Sequence, residues 1–143
     1  MYLSLYFKTH RDTYYDLLQR VRVDGDWEAW LSFFLEGVIS TAEQATTTAH
    51  RVFVLLREDR ARVDAHDRST PSARRLHEHM SHRPMLTIKR AVEDLGVSQP
   101  TIAAAMQHLE NLGVVAEITG RKRDRVFVYS RYLEILSEGT TPL

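Results

Sequence analysis

No proline interrupts the chain before residue 71, and from Trp27 to Val63 apolar residues recur at helical spacing. The stretch "WEAWLSFFLEGVISTAEQATTTAHRVFVLLREDRARV" places Trp27, Trp30, Leu31, Phe34, Leu35, Val38, Ala42, Ala45, Ala49, Val52, Phe53 and Leu56 on one broad stripe. At 1.5 Å per residue such a helix is on the order of 50 Å long, more than a small globule can cover. Its weakest part by propensity is the β-branched run Thr46-Thr47-Thr48. Upstream, Leu3, Tyr6, Phe7, Tyr14, Leu17, Leu18 and Val21 predict a helix over residues 3–21. "VDGDW" then breaks the pattern, with Gly25 as the turn and Asp26 as N-cap of the long helix. Together these segments predict a long helical hairpin.

The polar stretch "DAHDRSTP", residues 64–71, ends in proline and marks a boundary. The expected division is a helical region at 1–66 and a second domain at 67–143. In the second part "SARRLHEHMSHR" is a helix, with Pro71 at its entry. "LTIKRAVEDLG" is a short helix started by Thr87 and stopped by Gly96. "SQPTIAAAMQHLENLG" is a helix with Ser98 as N-cap, Pro100 in its first turn and Gly113 as its stop. "VVAEIT" and "RVFVYS" are two strands around the loop "GRKRD", and "RYLEILSEG" is a closing helix. That order predicts a winged helix-turn-helix domain whose only β structure is a two-stranded hairpin, the wing. The fold class expected is therefore mainly α.

Within the helix-turn-helix, Ile102, Ala105, Met106, Leu109 and Leu112 share a face that would pack on Ile88, Val92 and Leu95. Gly96 supplies a positive φ at the turn between the helices. The other face carries Gln99, Thr101, Ala104, Gln107, His108 and Asn111, and is the face that would enter a major groove, with Ser98 at its start. The expected DNA contacts are Ser98, Gln99, Thr101, Gln107 and His108 from this helix. Arg121, Lys122, Arg123 and Arg125, the densest positive patch in the chain, add contacts from the wing. Against this stands Ala103-Ala104-Ala105, which offers no hydrogen bond to a base, and a recognition helix with neither Arg nor Lys. The competing reading is the same fold serving as a dimerisation or docking module.

Composition limits the rest. Lys plus Arg and Asp plus Glu both number 19, so attraction to nucleic acid must be local rather than global. Cysteine is absent, which excludes disulfides and thiol catalysis and fits a reducing cytoplasm. No apolar run is long enough to span a membrane, and the start "MYLSLYFKTHRD" is not a signal peptide. The abrupt amphipathic beginning is what a piece of a longer protein would show. The apolar stripes at 3–21 and 27–63 are wider than one hairpin buries, so a homodimer is expected through Trp27, Trp30, Leu31, Phe34 and Val38.

The segment "YLSLYFKTHRDTYYDLLQRVRVDGDWEAWLSFFLEGV" resembles the helices that follow the catalytic core in bacterial Fic family proteins. The second half, ending in "TGRKRDRVFVYSRYLEIL", resembles the winged-helix extension many of them carry. The resemblance implies a parent that transfers AMP, or another phosphate-containing group, from a nucleotide to a protein hydroxyl. It uses the motif His-Pro-Phe-x-x-Gly-Asn-Gly-Arg. None of the seven histidines here precedes Pro-Phe, and Gly-Asn-Gly does not occur. No catalytic residue carries over, and neither enzyme activity nor a cofactor is expected. The expected role is a transcription-regulator-like, DNA-binding C-terminal portion; the alternative is a dimerisation or target-docking module with a protein partner.

Lesser candidates reduce to structure. Ser32, Glu36 and Gly37 fit the spacing of a Fic inhibitory helix, but a pattern so short recurs by chance and lies within "FFLEG". His77 and His79 sit about 200° apart on a helix, so with His82 they are read as a solvated face rather than a metal site. Glu93-Asp94 is read as an exposed pair without a partner, and "REDRARVDAHDR" as the wet end of the long helix. Trp27, Trp30, Phe33 and Phe34 are read as core or interface.

Overall fold

The structure, a computed structural model, describes residues 3–65 and 70–138. It is mainly helical with a small antiparallel sheet. By packing it divides into two compact units, one running to His50 with Glu138 grouped to it, the other Arg51–Ser137. The division falls earlier than the 66/67 boundary expected from the sequence. The reason is that Leu55 and Val63, upstream of the polar stretch, are buried in the core of the second unit.

In the first unit α1 spans Leu3–Thr9, α2 Arg11–Asp24, and α3 begins at Trp27 and runs to Ala65. The expected single helix over 3–21 is broken at His10, whose ψ of 41° leaves the helical region. Side chains compete for carbonyls at that point: Thr9 Oγ1 donates to Leu5 O at 2.9 Å, and His10 Nδ1 lies 3.0 Å from Tyr6 O. Gly25 ends α2 at φ 69°, a left-handed conformation that favours glycine. Asp26 then caps α3, its Oδ1 accepting from Ala29 N at 3.2 Å. The core of this unit is aromatic. Phe7 has ring centroids of Tyr14 at 5.3 Å, Phe33 at 5.8 Å, and Trp30 and Phe34 each at 6.2 Å.

The second unit consists of the end of α3, then α4 (Pro71–His82), β1 (Met85–Thr87), α5 (Ile88–Leu95), α6 (Gln99–Asn111), β2 (Ala116–Glu117), β3 (Val126–Val128) and α7 (Ser130–Ser137). The expected two-stranded hairpin is corrected to three strands in the order β1-β3-β2. Leu86 of β1 sits opposite Phe127, and Met85 opposite Val128. Three residues carry no readable period, and their partners Val126–Val128 lie far along the chain, so β1 has no local signature. Thr70 caps α4 by accepting from Ala73 N at 3.1 Å, with Pro71 in the first turn. Thr87 caps α5 by accepting from Arg90 N at 3.2 Å. Ser98 precedes α6 as expected, yet its Oγ pairs with Thr101 Oγ1 at 2.8 Å instead of capping a backbone N–H. Ile102, Ala105, Met106 and Leu109 are buried, and Ile88, Val92, Leu95 and Leu112 pack against the same core. No helix among the described residues is long and apolar enough to cross a membrane.

Candidate nucleic-acid interface

Two concavities flank the outer face of α6. The larger, of about 560 Å³, is lined by Thr87, Ile88 and Lys89 from the start of α5, Gln99 and Ala103 from α6, and Lys122–Arg125 from the β2–β3 loop. The fold thus brings Gln99 beside Lys122, Arg123 and Arg125, and adds Lys89, a cation the sequence pattern did not single out. Its neighbour Arg90 is drawn away by Asp94 at 3.0 Å and Glu93 at 3.6 Å. The second concavity holds Thr101, Gln107 and His108 with Thr70, Ala104, Ala105 and Asn111. Gln107 Nε2 donates to Glu110 Oε2 at 3.1 Å and to Asn111 Oδ1 at 3.2 Å. The expected contacts on α6 therefore fall into two groups rather than one row. Arg121, also expected on the wing, is exposed in the loop.

The loop's shape is set by Glu117. Its carboxylate accepts from Thr119 N at 2.8 Å, from Gly120 N at 3.0 Å, and from the Thr119 hydroxyl. The Thr119 hydroxyl bond, with the backbone bond beside it, holds the Glu117 carboxyl below the usual range. Gly120 at φ 62° and Asp124 at φ 52° give the loop its left-handed corners. Arg125 lies over the Phe127 ring at 5.1 Å, so its guanidinium is anchored to the sheet.

Beneath this surface lies a polar cluster that the sequence reading missed. Asp59 and Tyr129 have no exposed surface, and His77 is 3% exposed. The Tyr129 hydroxyl donates to Asp59 Oδ2 at 2.7 Å, and His77 Nε2 lies 3.3 Å from that hydroxyl. Arg62 and Arg131 reach Asp59 Oδ1 at 2.8 and 3.4 Å. Arg62 also donates to the Leu112 carbonyl at the end of α6. His77 is thus a core residue rather than part of a solvated face, and Asp59 is not at the wet end of a helix. Asp94 is corrected too, since it pairs with His79 at 3.0 Å, Arg83 at 3.4 Å and Arg90. Among the described residues no group of three or more His, Cys, Asp or Glu could hold a metal ion.

In the first unit Gly37 has a packing role. A Cβ there would meet Tyr6 Cδ1 at 2.7 Å, which accounts for the glycine of the Ser32-Glu36-Gly37 spacing. Of the residues expected at a dimer interface, Trp30 and Phe34 are half-buried in the aromatic cluster, whereas Trp27, Leu31 and Val38 are exposed. No protein-family model matches the chain, so the likeness to Fic proteins rests on the quoted residues alone.

Proposed function

We propose that the chain binds double-stranded DNA, with α4 to β3 acting as a winged helix-turn-helix. In this reading α6 is the recognition helix and the β2–β3 loop the wing. The observation that carries the reading is the groove in which Lys89, Lys122, Arg123 and Arg125 surround Gln99. Four cations converging on one helix end, in a chain of zero formal net charge, make a local footprint for phosphates. Phosphate contact from the loop and Lys89 supplies affinity, while Gln99 is the side chain of the groove able to form a bidentate contact with adenine. The role is binding without catalysis, because the chain has neither His-Pro-Phe nor Gly-Asn-Gly.

The test is a titration of the full chain on mixed-sequence duplexes at two salt concentrations. Binding should weaken steeply with salt, and Arg123→Ala with Lys122→Ala should weaken it on every duplex alike. The second reading, a protein-docking module, is favoured by Ala103-Ala104-Ala105 and the lack of Arg or Lys in α6. It prevails if no duplex binds at low salt.

A further inference from the structure

Gln99 and Ala103 stand one helical turn apart on α6 and line the same groove as Lys89 and the loop's cations. Gln99, the first residue of the helix, is exposed, and Ala103 is half-buried. Thr101 and Gln107, which line the second concavity, make hydrogen bonds within the protein. Thr101 Oγ1 pairs with Ser98 Oγ at 2.8 Å, and the Gln107 amide donates to Glu110 and Asn111. What α6 offers a base edge in the basic groove is therefore one carboxamide and, beside it, one methyl. We propose that this surface selects adenine–thymine pairs through the DNA major groove, with Gln99 on an adenine and the Ala103 methyl packed on a thymine 5-methyl. The proposal rests on the DNA reading above, and adds to it a base-pair class and a second specificity-determining residue.

The chemistry of the four base edges makes the selection. Guanine is read in the major groove by the fork of an arginine or by a lysine, and α6 contains neither. Lys89 lies at the start of α5, the first helix of the pair, which in this arrangement crosses the phosphate backbone. The amino group of cytosine needs an acceptor such as a carboxylate. Glu110 holds Gln107 at the far end of α6, and Asp124, which lines the groove, belongs to the loop rather than to the helix. Adenine presents an acceptor and a donor that match the Gln99 carboxamide, and thymine presents a methyl that matches a small apolar side chain. At 1.5 Å per residue Gln99 and Ala103 are about 6 Å apart along the helix, within two base steps of about 3.4 Å. Alanine at 103 also keeps the backbone close to the base edge, where a longer side chain would hold it away. The alanine that makes no hydrogen bond is thus the residue suited to the one base edge that carries a methyl.

The test changes the DNA rather than the protein. The full chain is titrated at low salt on short duplexes of alternating dA-dT, dA-dU, dG-dC and dI-dC. The dA-dT duplex should bind at least about fivefold more tightly than dG-dC, the low end of what a bidentate base contact gives. Uracil lacks only the 5-methyl, so dA-dU should bind about fourfold more weakly than dA-dT, the worth of one buried methyl. The dI-dC duplex has the major-groove edges of dG-dC but no guanine amino group in the minor groove, and should bind as weakly as dG-dC. Ala103→Gly should erase the difference between dA-dT and dA-dU while keeping the preference over dG-dC. That ratio is taken within one preparation, so a loss of helix stability in the variant does not alter it. Equal binding of dA-dU and dA-dT, dI-dC binding as well as dA-dT, or an unchanged ratio in Ala103→Gly overturns the proposal and leaves the DNA reading standing. Binding to none of the four duplexes removes both.

Discussion

Tyr129 and His77 show how much a single buried side chain can govern. Burial, together with the hydrogen bond to Asp59, pushes the Tyr129 phenol up, so it stays protonated and keeps donating to that carboxylate. Tyr129→Phe would remove the donor that Asp59 Oδ2 uses and the partner nearest His77 Nε2, with the space otherwise filled. The expected loss is on the order of 1–3 kcal/mol, read from urea unfolding. His77 is pushed below its usual value, chiefly by burial and despite the opposing field of Asp59. The sign follows directly. The unfolded chain takes up a proton near pH 6.5 and the folded chain only below that. Stability from this group is complete above pH 6.5 and is lost as pH falls toward the lowered folded value. The urea midpoint should therefore drop between pH 7.5 and 5.5, and His77→Gln should flatten that part of the slope. Gly37 makes a steric case. Gly37→Ala would press a methyl on a Tyr6 ring already stacked 5.4 Å from Phe33. It should destabilise by about 1–3 kcal/mol in the same measurement.

Glu117 makes the basic loop one shape rather than many. In Glu117→Ala the Thr119 and Gly120 amides lose their acceptor, and the loop's cations would no longer be held in place before binding. Faster exchange of those two amides is expected, with several-fold weaker DNA binding and an unchanged melting temperature. Unchanged exchange would show that the backbone alone holds the turn. The elements themselves were largely legible, because their signals are local. Thr87, Gly96 and Gly113 stand where the pattern placed them, and the apolar spacing of α6 named its buried face. What could not be read depends on distance along the chain. β1 exists because Leu86 meets Phe127, and Asp59 is buried because Tyr129, 70 residues on, reaches it. The candidate site divides the same way. The loop's charges are visible as "RKRDR", but that Gln99 joins them while Gln107 and His108 line another concavity follows only from how α6 is packed.

At the scale of the molecule the two units have unequal cores. In the second, fifteen residues form one buried cluster that includes Leu76, Met80, Met106 and Phe127. In the first, Leu17 and Phe33 are the only buried hydrophobic side chains among the described residues, and the aromatic rings around them remain partly exposed. Local stability follows buried apolar contact, so opening should be easier where that contact is sparse. Amide hydrogen exchange on dilute protein should show α1, α2 and the α3 residues before His50 exchanging well before α4, α6 and β3. Urea unfolding should then depart from a single transition, with the near-ultraviolet signal, to which Trp27 and Trp30 of the first unit contribute most, lost ahead of part of the helical signal. Concentration tests the expected homodimer independently. If a second copy covers Trp27 to Val38, exchange there should slow as protein concentration rises, while α6 and β3 stay unchanged. Uniform exchange across both units at every concentration would mean that α3 transmits the stability of the larger core along its whole length, and that the exposed face needs no cover.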